Sequence, residues 1–276
     1  MFTRRNASRN KGGSSEFNLL EPLFCLETRT VYNQLVKFPM ARGVRVLRAK
    51  NGLVALLKPA GVLSHPNDGA ADPRAILTCE YNLDAERFDW DGGSAWLLHR
   101  LDSATSGVLL FSEDEILAKE VKKAFQTRAV KKSYRALVFG SPRQKTETWT
   151  DSLRIEKRDG LKRAVDNRHA IATGAPSSAV TQMQVLHRSK DGVSLLSLEP
   201  QTGKMHQLRV QCARRKLPIV NDGNYGDFKW NREFARVTGH KRLFLHAMTL
   251  ELEIDHAGER LEFKVEAPLP DEFNWA

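Results

Sequence analysis

One polar run constrains this chain more than any other. His99-Arg100-Leu101-Asp102-Ser103-Ala104-Thr105-Ser106-Gly107 lies between two apolar segments, Ala95-Trp96-Leu97-Leu98 and Val108-Leu109-Leu110-Phe111. Short apolar runs bounded by turn residues suit buried central strands. The polar run must then be the turn that joins them. Asp-Ser-Ala-Thr-Ser-Gly is good turn chemistry, because short polar side chains bond nearby backbone and glycine accepts positive φ. It also holds a lone carboxylate, Asp102, beside an arginine and a histidine. Taken alone, the run is better explained as a turn than as a reactive group.

Other segments follow the same strand-rich pattern. Val44–Leu47 and Leu53–Leu57 read as strands around the turn Lys50-Asn51-Gly52. Ser112 and Glu115 form a capping box that predicts a helix to about Arg128, with Ile116, Leu117, Val121, Ala124 and Phe125 on one face. Ser133–Phe139 alternates, which puts Tyr134, Ala136 and Val138 on one side. Residues 154–169 are polar and basic and read as a long loop or mobile hairpin. Val193–Leu198, Leu243–Leu250 and Leu261–Val265 read as strands. Gly203–Arg215 reads as a helix capped by Thr202, and Arg232–Val237 as a short helix. No strand-helix-strand rhythm appears, so the fold class expected is α+β.

Composition narrows the partners. The chain has 276 residues, with 43 Lys and Arg against 33 Asp and Glu, a net charge of +10. That excess favours polyanions, nucleic acid above all. Cys25, Cys79 and Cys212 are few and widely spaced, which suits a reducing compartment. No apolar stretch reaches the roughly 18 residues of a membrane span. Residues 1–43 are expected to be a basic disordered tail and N-terminal extension, and residues 44–276 a single domain. The start carries Arg4, Arg5, Arg9 and Lys11 without an apolar core, so a secretory signal is excluded. A cytoplasmic location is expected, with an organelle matrix as the alternative if this start is a transit peptide.

Several chemistries lack their motifs. His65, His99, His206, His240 and His246 fall in no HExxH or related spacing, and no CxxC occurs, so no metal site is expected. Asp222-Gly223-Asn224-Tyr225-Gly226-Asp227 lacks the ligand spacing of a calcium loop. GxGxxG, the P-loop and the GxSxG elbow are all missing, so no cofactor is expected. Asp102, Tyr134 and Arg209 remain. Tyr134 reads as a half-buried core tyrosine. Arg209, on a predicted helix with Met205, Leu208 and Cys212, reads as a surface residue or as the neutraliser of a buried carboxylate.

Together these stretches resemble the RluA-type family of pseudouridine synthases. HRLDSATSG at 99–107 is similar to that family's HRLDxxTSG motif, and Lys58-Pro59-Ala60-Gly61-Val62-Leu63-Ser64-His65 to its KPxGxxxH segment. Lys132-Ser133-Tyr134-Arg135-Ala136 resembles its KxYxA strand, and residues 202–210 its TGRxHQ[IL]R motif. Pro218-Ile219, Asp222, Tyr225-Gly226, Leu245-His246-Ala247 and Ala267-Pro268 follow in the family's order. The resemblance covers about residues 44–270. From Leu198 onward the chain looks most like the tRNA-modifying TruC branch. Lys204, Met205, Gln211 and Asn221 depart from the common pattern, which bears on RNA contacts and substrate identity rather than on the reaction. No counterpart of the S4 RNA-binding domain of many relatives is evident.

The resemblance implies a mixed, largely antiparallel central sheet flanked by helices and loops around an RNA-binding cleft. It implies isomerisation of uridine in tRNA or rRNA, with tRNA preferred. The enzyme would act as a monomer without membrane or obligate protein partner. Asp102 would be the catalytic residue, either attacking C1′ or supporting loss of the base through a glycal-like intermediate. Arg209 would pair with it, and Tyr134 would lie against the base as acid or base. Arg100 would fill the space that the flipped base vacates. Leu208 would wall the pocket, and His99, Thr105, Lys204 and His206 would also contact substrate. Arg154, Lys157, Arg158, Lys162, Arg163 and Arg168 would grip RNA phosphates.

Overall fold

The structure, a computed structural model, describes residues 38–158, 161–166 and 177–275. Its strands are β1 (Arg45–Lys50), β2 (Leu53–Lys58), β3 (Glu80–Asn82), β4 (Arg87–Trp90), β5 (Gly93–Leu97), β6 (Ser106–Ser112) and β7 (Lys131–Phe139). They continue with β8 (Thr146–Arg158), β9 (Leu161–Asp166), β10 (Ser177–Arg188), β11 (Val193–Pro200), β12 (Leu245–His256) and β13 (Glu259–Glu266). Among the described residues these form one mixed sheet in the order β3-β4-β5-β6-β12-β7-β11-β10-β8-β9. The β1–β2 hairpin joins it at β6, and β13 joins at β12. The β6–β12 pairing is parallel and the other strand pairings are antiparallel. This is an α+β fold with a mixed, largely antiparallel sheet, as expected.

β6 shows why the apolar run after the turn becomes a central strand. All seven of its residues are buried. Leu109 and Phe111 enter one core and Val108 and Leu110 another, as the two-residue period of a strand requires. Gly107 starts the parallel crossing with φ 120. A Cβ there would collide with the Ala247 carbonyl, so β6 and β12 approach closely only because the residue is glycine.

Helix starts differ from the sequence reading. Helix α1 (Glu115–Gln126) is capped by Asp114, whose carboxylate accepts from the Leu117 amide at 2.7 Å. Ser112 takes no part in that cap and instead bonds backbone of Asp114. Helix α2 (Gln207–Arg214) begins four residues later than Gly203. Thr202 does not cap it, because its hydroxyl accepts from the Val180 amide at 3.0 Å and donates to Gln207 Oε1 at 2.7 Å. His206 holds the N-cap position in the left-handed region instead, with φ 53. Helix α3 (Phe228–Thr238) is longer than the reading allowed, with Asp227 capping its first amides and Gly239 ending it.

Basic residues 154–169 begin as a hairpin, with β8 and β9 in antiparallel register from Leu153↔Asp166 to Arg158↔Leu161. The side chains of Lys157, Arg158, Lys162 and Arg163, and all of Arg168, lie outside the described residues, as does the expected tail through residue 37. Packing extends ahead of Val44, since Phe38 and Ala41 belong to the core beside β2. Among the described residues, no helix is long and apolar enough to cross a membrane.

Candidate active site

Asp102 sits on the turn after β5. Its carbonyl accepts from the Thr105 amide at 3.0 Å, which closes the turn. Lys58, at the end of β2, braces the turn from beneath. Its fully buried ammonium donates to the carbonyls of Val62 at 2.6 Å, Ser103 at 2.8 Å and Pro59 at 3.1 Å. All three ammonium protons are thereby used, and two loops are tied together. Burial lowers the Lys58 pKa to about 7; the Asp102 charge opposes that fall and Arg242 adds to it.

Arg209 enters from α2. Its Nη1 donates to Asp102 Oδ2 at 2.9 Å, while Nε and Nη2 fork onto Asp222 at 2.8 Å each. Tyr225 covers the guanidinium, with its ring centroid 5.2 Å away. Asp222 also accepts from the amides of Asn224 and Tyr225. Burial works against the Asp222 carboxylate, but Arg209 and these two amides hold its pKa below the usual range. Burial likewise opposes the Arg209 charge, and the two carboxylates more than offset it. The side chain of Asp222 is 1% exposed and that of Asp102 is 25% exposed. Arg209 thus has a structural carboxylate behind it and an accessible one in front.

The other expected residues gather around Asp102 unevenly. His206 Nε2 lies 3.7 Å from Asp102 Oδ2, and His206 Nδ1 shares a hydrogen bond with the Tyr225 hydroxyl at 2.9 Å. Leu208 is buried in the adjoining core. Tyr134 is half-buried on β7, opposite Leu198 and Ala247. Burial first, then the Asp102 charge, pushes its hydroxyl pKa well up, so the phenol keeps its proton at neutral pH. Arg100 is exposed, and its guanidinium donates to His65 Nε2 at 3.2 Å. His65 Nδ1 meets the Pro66 carbonyl at 2.7 Å, which fixes the tautomer with the proton on Nδ1. The His65 ring stacks on Tyr81 at 4.8 Å. Lys204 is exposed, and its amide donates to Gln207 Oε1.

Two expected substrate contacts also have places in the fold. His99 serves the fold: its Nε2 accepts from the Leu110 amide at 3.2 Å and its ring packs 5.0 Å from Phe125. Thr105 is buried and closes the Asp102 turn through its amide. Sequence reasoning gave no role to Lys58 or Asp222. The signal available for Asp222 was that a buried guanidinium has five donors in a fork, more than one carboxylate can accept. Among the described residues, no group of three His, Cys, Asp or Glu side chains could hold a metal.

The chain is similar to known proteins in sequence and in fold. Residues 52–214 match the family described as RNA pseudouridylate synthase. The chain belongs to the RluA-type pseudouridine synthases. The synthase is 32% identical over 219 residues to tRNA pseudouridine synthase C of Salmonella typhimurium, covering 76% of this chain and 80% of that one. It is 32% identical over 222 residues to the dual-specificity RNA pseudouridine synthase RluA of Yersinia pestis, covering 80% and 98%. Its fold superposes on the human RNA pseudouridylate synthase domain containing 4 with a TM-score of 0.59, at 26% identity over 90% of this chain and 95% of the other.

Proposed function

We propose that the synthase isomerises uridine to pseudouridine in tRNA, with Asp102 as the catalytic carboxylate. One observation carries this reading: Asp102 is the accessible carboxylate on a buried arginine whose other side is already filled by Asp222. A carboxylate so held is aimed before substrate arrives, which is the kind of preorganisation a reacting group needs. In the reaction the C1′–N1 bond breaks, the uracil turns, and C5 bonds to C1′. The hydrogen on C5 is lost and N1 gains one, so atoms and oxidation state balance. Asp102 acts on the ribose side. Tyr134, protonated on the same surface, lies against the base and serves proton transfer near C5 or C2′. Arg209 keeps Asp102 in place. Arg100 occupies the gap left when the target nucleotide leaves its stack, a step that costs a few kcal/mol. Support for tRNA comes from the relative named as a tRNA pseudouridine synthase and from the resemblance of residues 226–235 to a stretch of the TruC branch.

The test is to map pseudouridines in total tRNA and rRNA from cells with the protein, without it, and with Asp102→Asn. A tRNA position should lose its modification in the second and third cases. An rRNA position would replace the tRNA assignment, and full modification by Asp102→Asn would remove Asp102 from the chemistry.

A further inference from the structure

Lys132 lies two residues before Tyr134 on β7, so both side chains leave the same face of the sheet, about 7 Å apart along the strand. Its ammonium is half-buried over the Phe125 ring, 5.7 Å from the centroid. Among the described residues it has no carboxylate, carbonyl or hydroxyl partner. Burial alone lowers its pKa, with no neighbouring acid to oppose the fall. Lys58 shows the contrast, since that deeper ammonium has three carbonyls. A desolvated cation without an anion is costly, and chains rarely carry one unless a ligand completes it. The loop before α2 leaves room for such a ligand. A Cβ on Gly203 would lie 3.7 Å from Lys132 Nζ, so the glycine backbone stands beside the ammonium with no side chain of its own between them.

We infer that Lys132 and the open backbone at Gly203 form a phosphate subsite that takes the phosphodiester beside the target uridine. This rests on the RNA-modifying reading above. The strand sets the geometry: Tyr134 meets the base while Lys132, two residues along the same face, meets the backbone next to it. An RNA phosphate supplies the charge that the folded protein lacks there. The subsite fixes which nucleotide of a flexible loop stands over Asp102.

The experiment uses an RNA stem-loop carrying the mapped uridine, the full-length protein and Lys132→Met. The variant should bind about tenfold more weakly, the scale of one charge-assisted contact. The slope of log affinity against log salt should shrink by about 0.7 to 0.9, the value of one phosphate. Its melting temperature should not fall, because an unpaired buried charge has been removed. Lys132→Arg should restore affinity. Neutralising the flanking linkage as a methylphosphonate should weaken the wild type and leave Lys132→Met unchanged. Gly203→Asp, which sets a carboxylate beside the ammonium, should weaken binding in the same way and serves if Lys132→Met does not fold. Unchanged affinity and salt slope in these variants would overturn the subsite, as would equal sensitivity of both proteins to the methylphosphonate. A lowered melting temperature with an unchanged slope would assign Lys132 to the fold instead. Failure of the underlying reading looks different: the wild type would then form no pseudouridine in any RNA.

Discussion

Arg209 spans two carboxylates, gripping buried Asp222 through Nε and Nη2 while its remaining nitrogen reaches Asp102 at 2.9 Å. The guanidinium can do this because it is planar and forked, with donors on separate edges. Lysine has one point of charge and cannot serve both partners. Arg209→Lys should therefore fold but lose about 100-fold in turnover, the cost of misplacing a reacting group by about 1 Å. Arg209→Ala should destabilise the protein by about 3 to 5 kcal/mol, because Asp222 is left buried without a partner. Urea unfolding and single-turnover assays read the two effects. Asp222→Asn combined with Arg209→Ala should cost less than the sum of the single changes. Additive losses would show that the two residues do not act as a unit.

Arg100 is held from outside by His65, which itself rests on Tyr81. Because Arg100 is exposed, its loss should leave stability within about 0.5 kcal/mol. Arg100→Ala should nonetheless lower kcat/KM at least tenfold if the guanidinium replaces the flipped base. His65→Ala should lower it less, since it removes the support and leaves the charge. Thermal melting beside steady-state kinetics separates the two readings, and a melting loss equal to the activity loss would make Arg100 a structural residue.

Gly107 tests the close crossing of β6 and β12. Gly107→Ala adds a methyl group against the Ala247 carbonyl at a residue with φ 120. Both strain and overlap oppose it, so the expected loss is at least about 2 kcal/mol. Chemical denaturation measures this directly. Wild-type stability would mean that the strands can separate without cost.

Acid should weaken the fold through two buried imidazoles. Burial, with help from Arg242 and Arg135, lowers the His246 pKa from 6.5 to about 3. Burial and then Lys132 lower that of His99 to about 3. Both groups stay neutral when folded but take up protons near 6.5 when unfolded. Stability from each is therefore complete above about pH 6.5 and declines as pH falls toward 3. At about pH 5 His246 alone accounts for roughly 2 kcal/mol. Urea titrations across this range should show the decline, and His99→Phe should flatten it. An unchanged slope in that variant would assign the acid sensitivity to other groups.

Much of this was legible from residue order alone. The apolar runs around the Asp102 turn, the face shared by Tyr134, Ala136 and Val138, and the pairing of Arg209 with a carboxylate all follow from periodicity, turn chemistry and charge burial. The parts that were not legible depend on contacts distant in sequence. Thr202 looks like a cap, but β10 claims its hydroxyl. Nothing in its motif announces that His99 accepts from the amide of Leu110 and packs against the ring of Phe125. Strands β3 and β4 are only three and four residues long and do not stand out in sequence, and pairing with neighbours creates them.

The parallel seam between β6 and β12 has a temporal meaning. Ser106 and its partner His246 are 140 positions apart. A ribosome adding about 5 to 20 residues per second needs on the order of ten seconds to make the intervening chain. Arg209 is made within that interval, but until His246 follows, β6 still lacks its parallel neighbour. The sheet beside Asp102 therefore closes only in the last quarter of translation, when β12 joins β6.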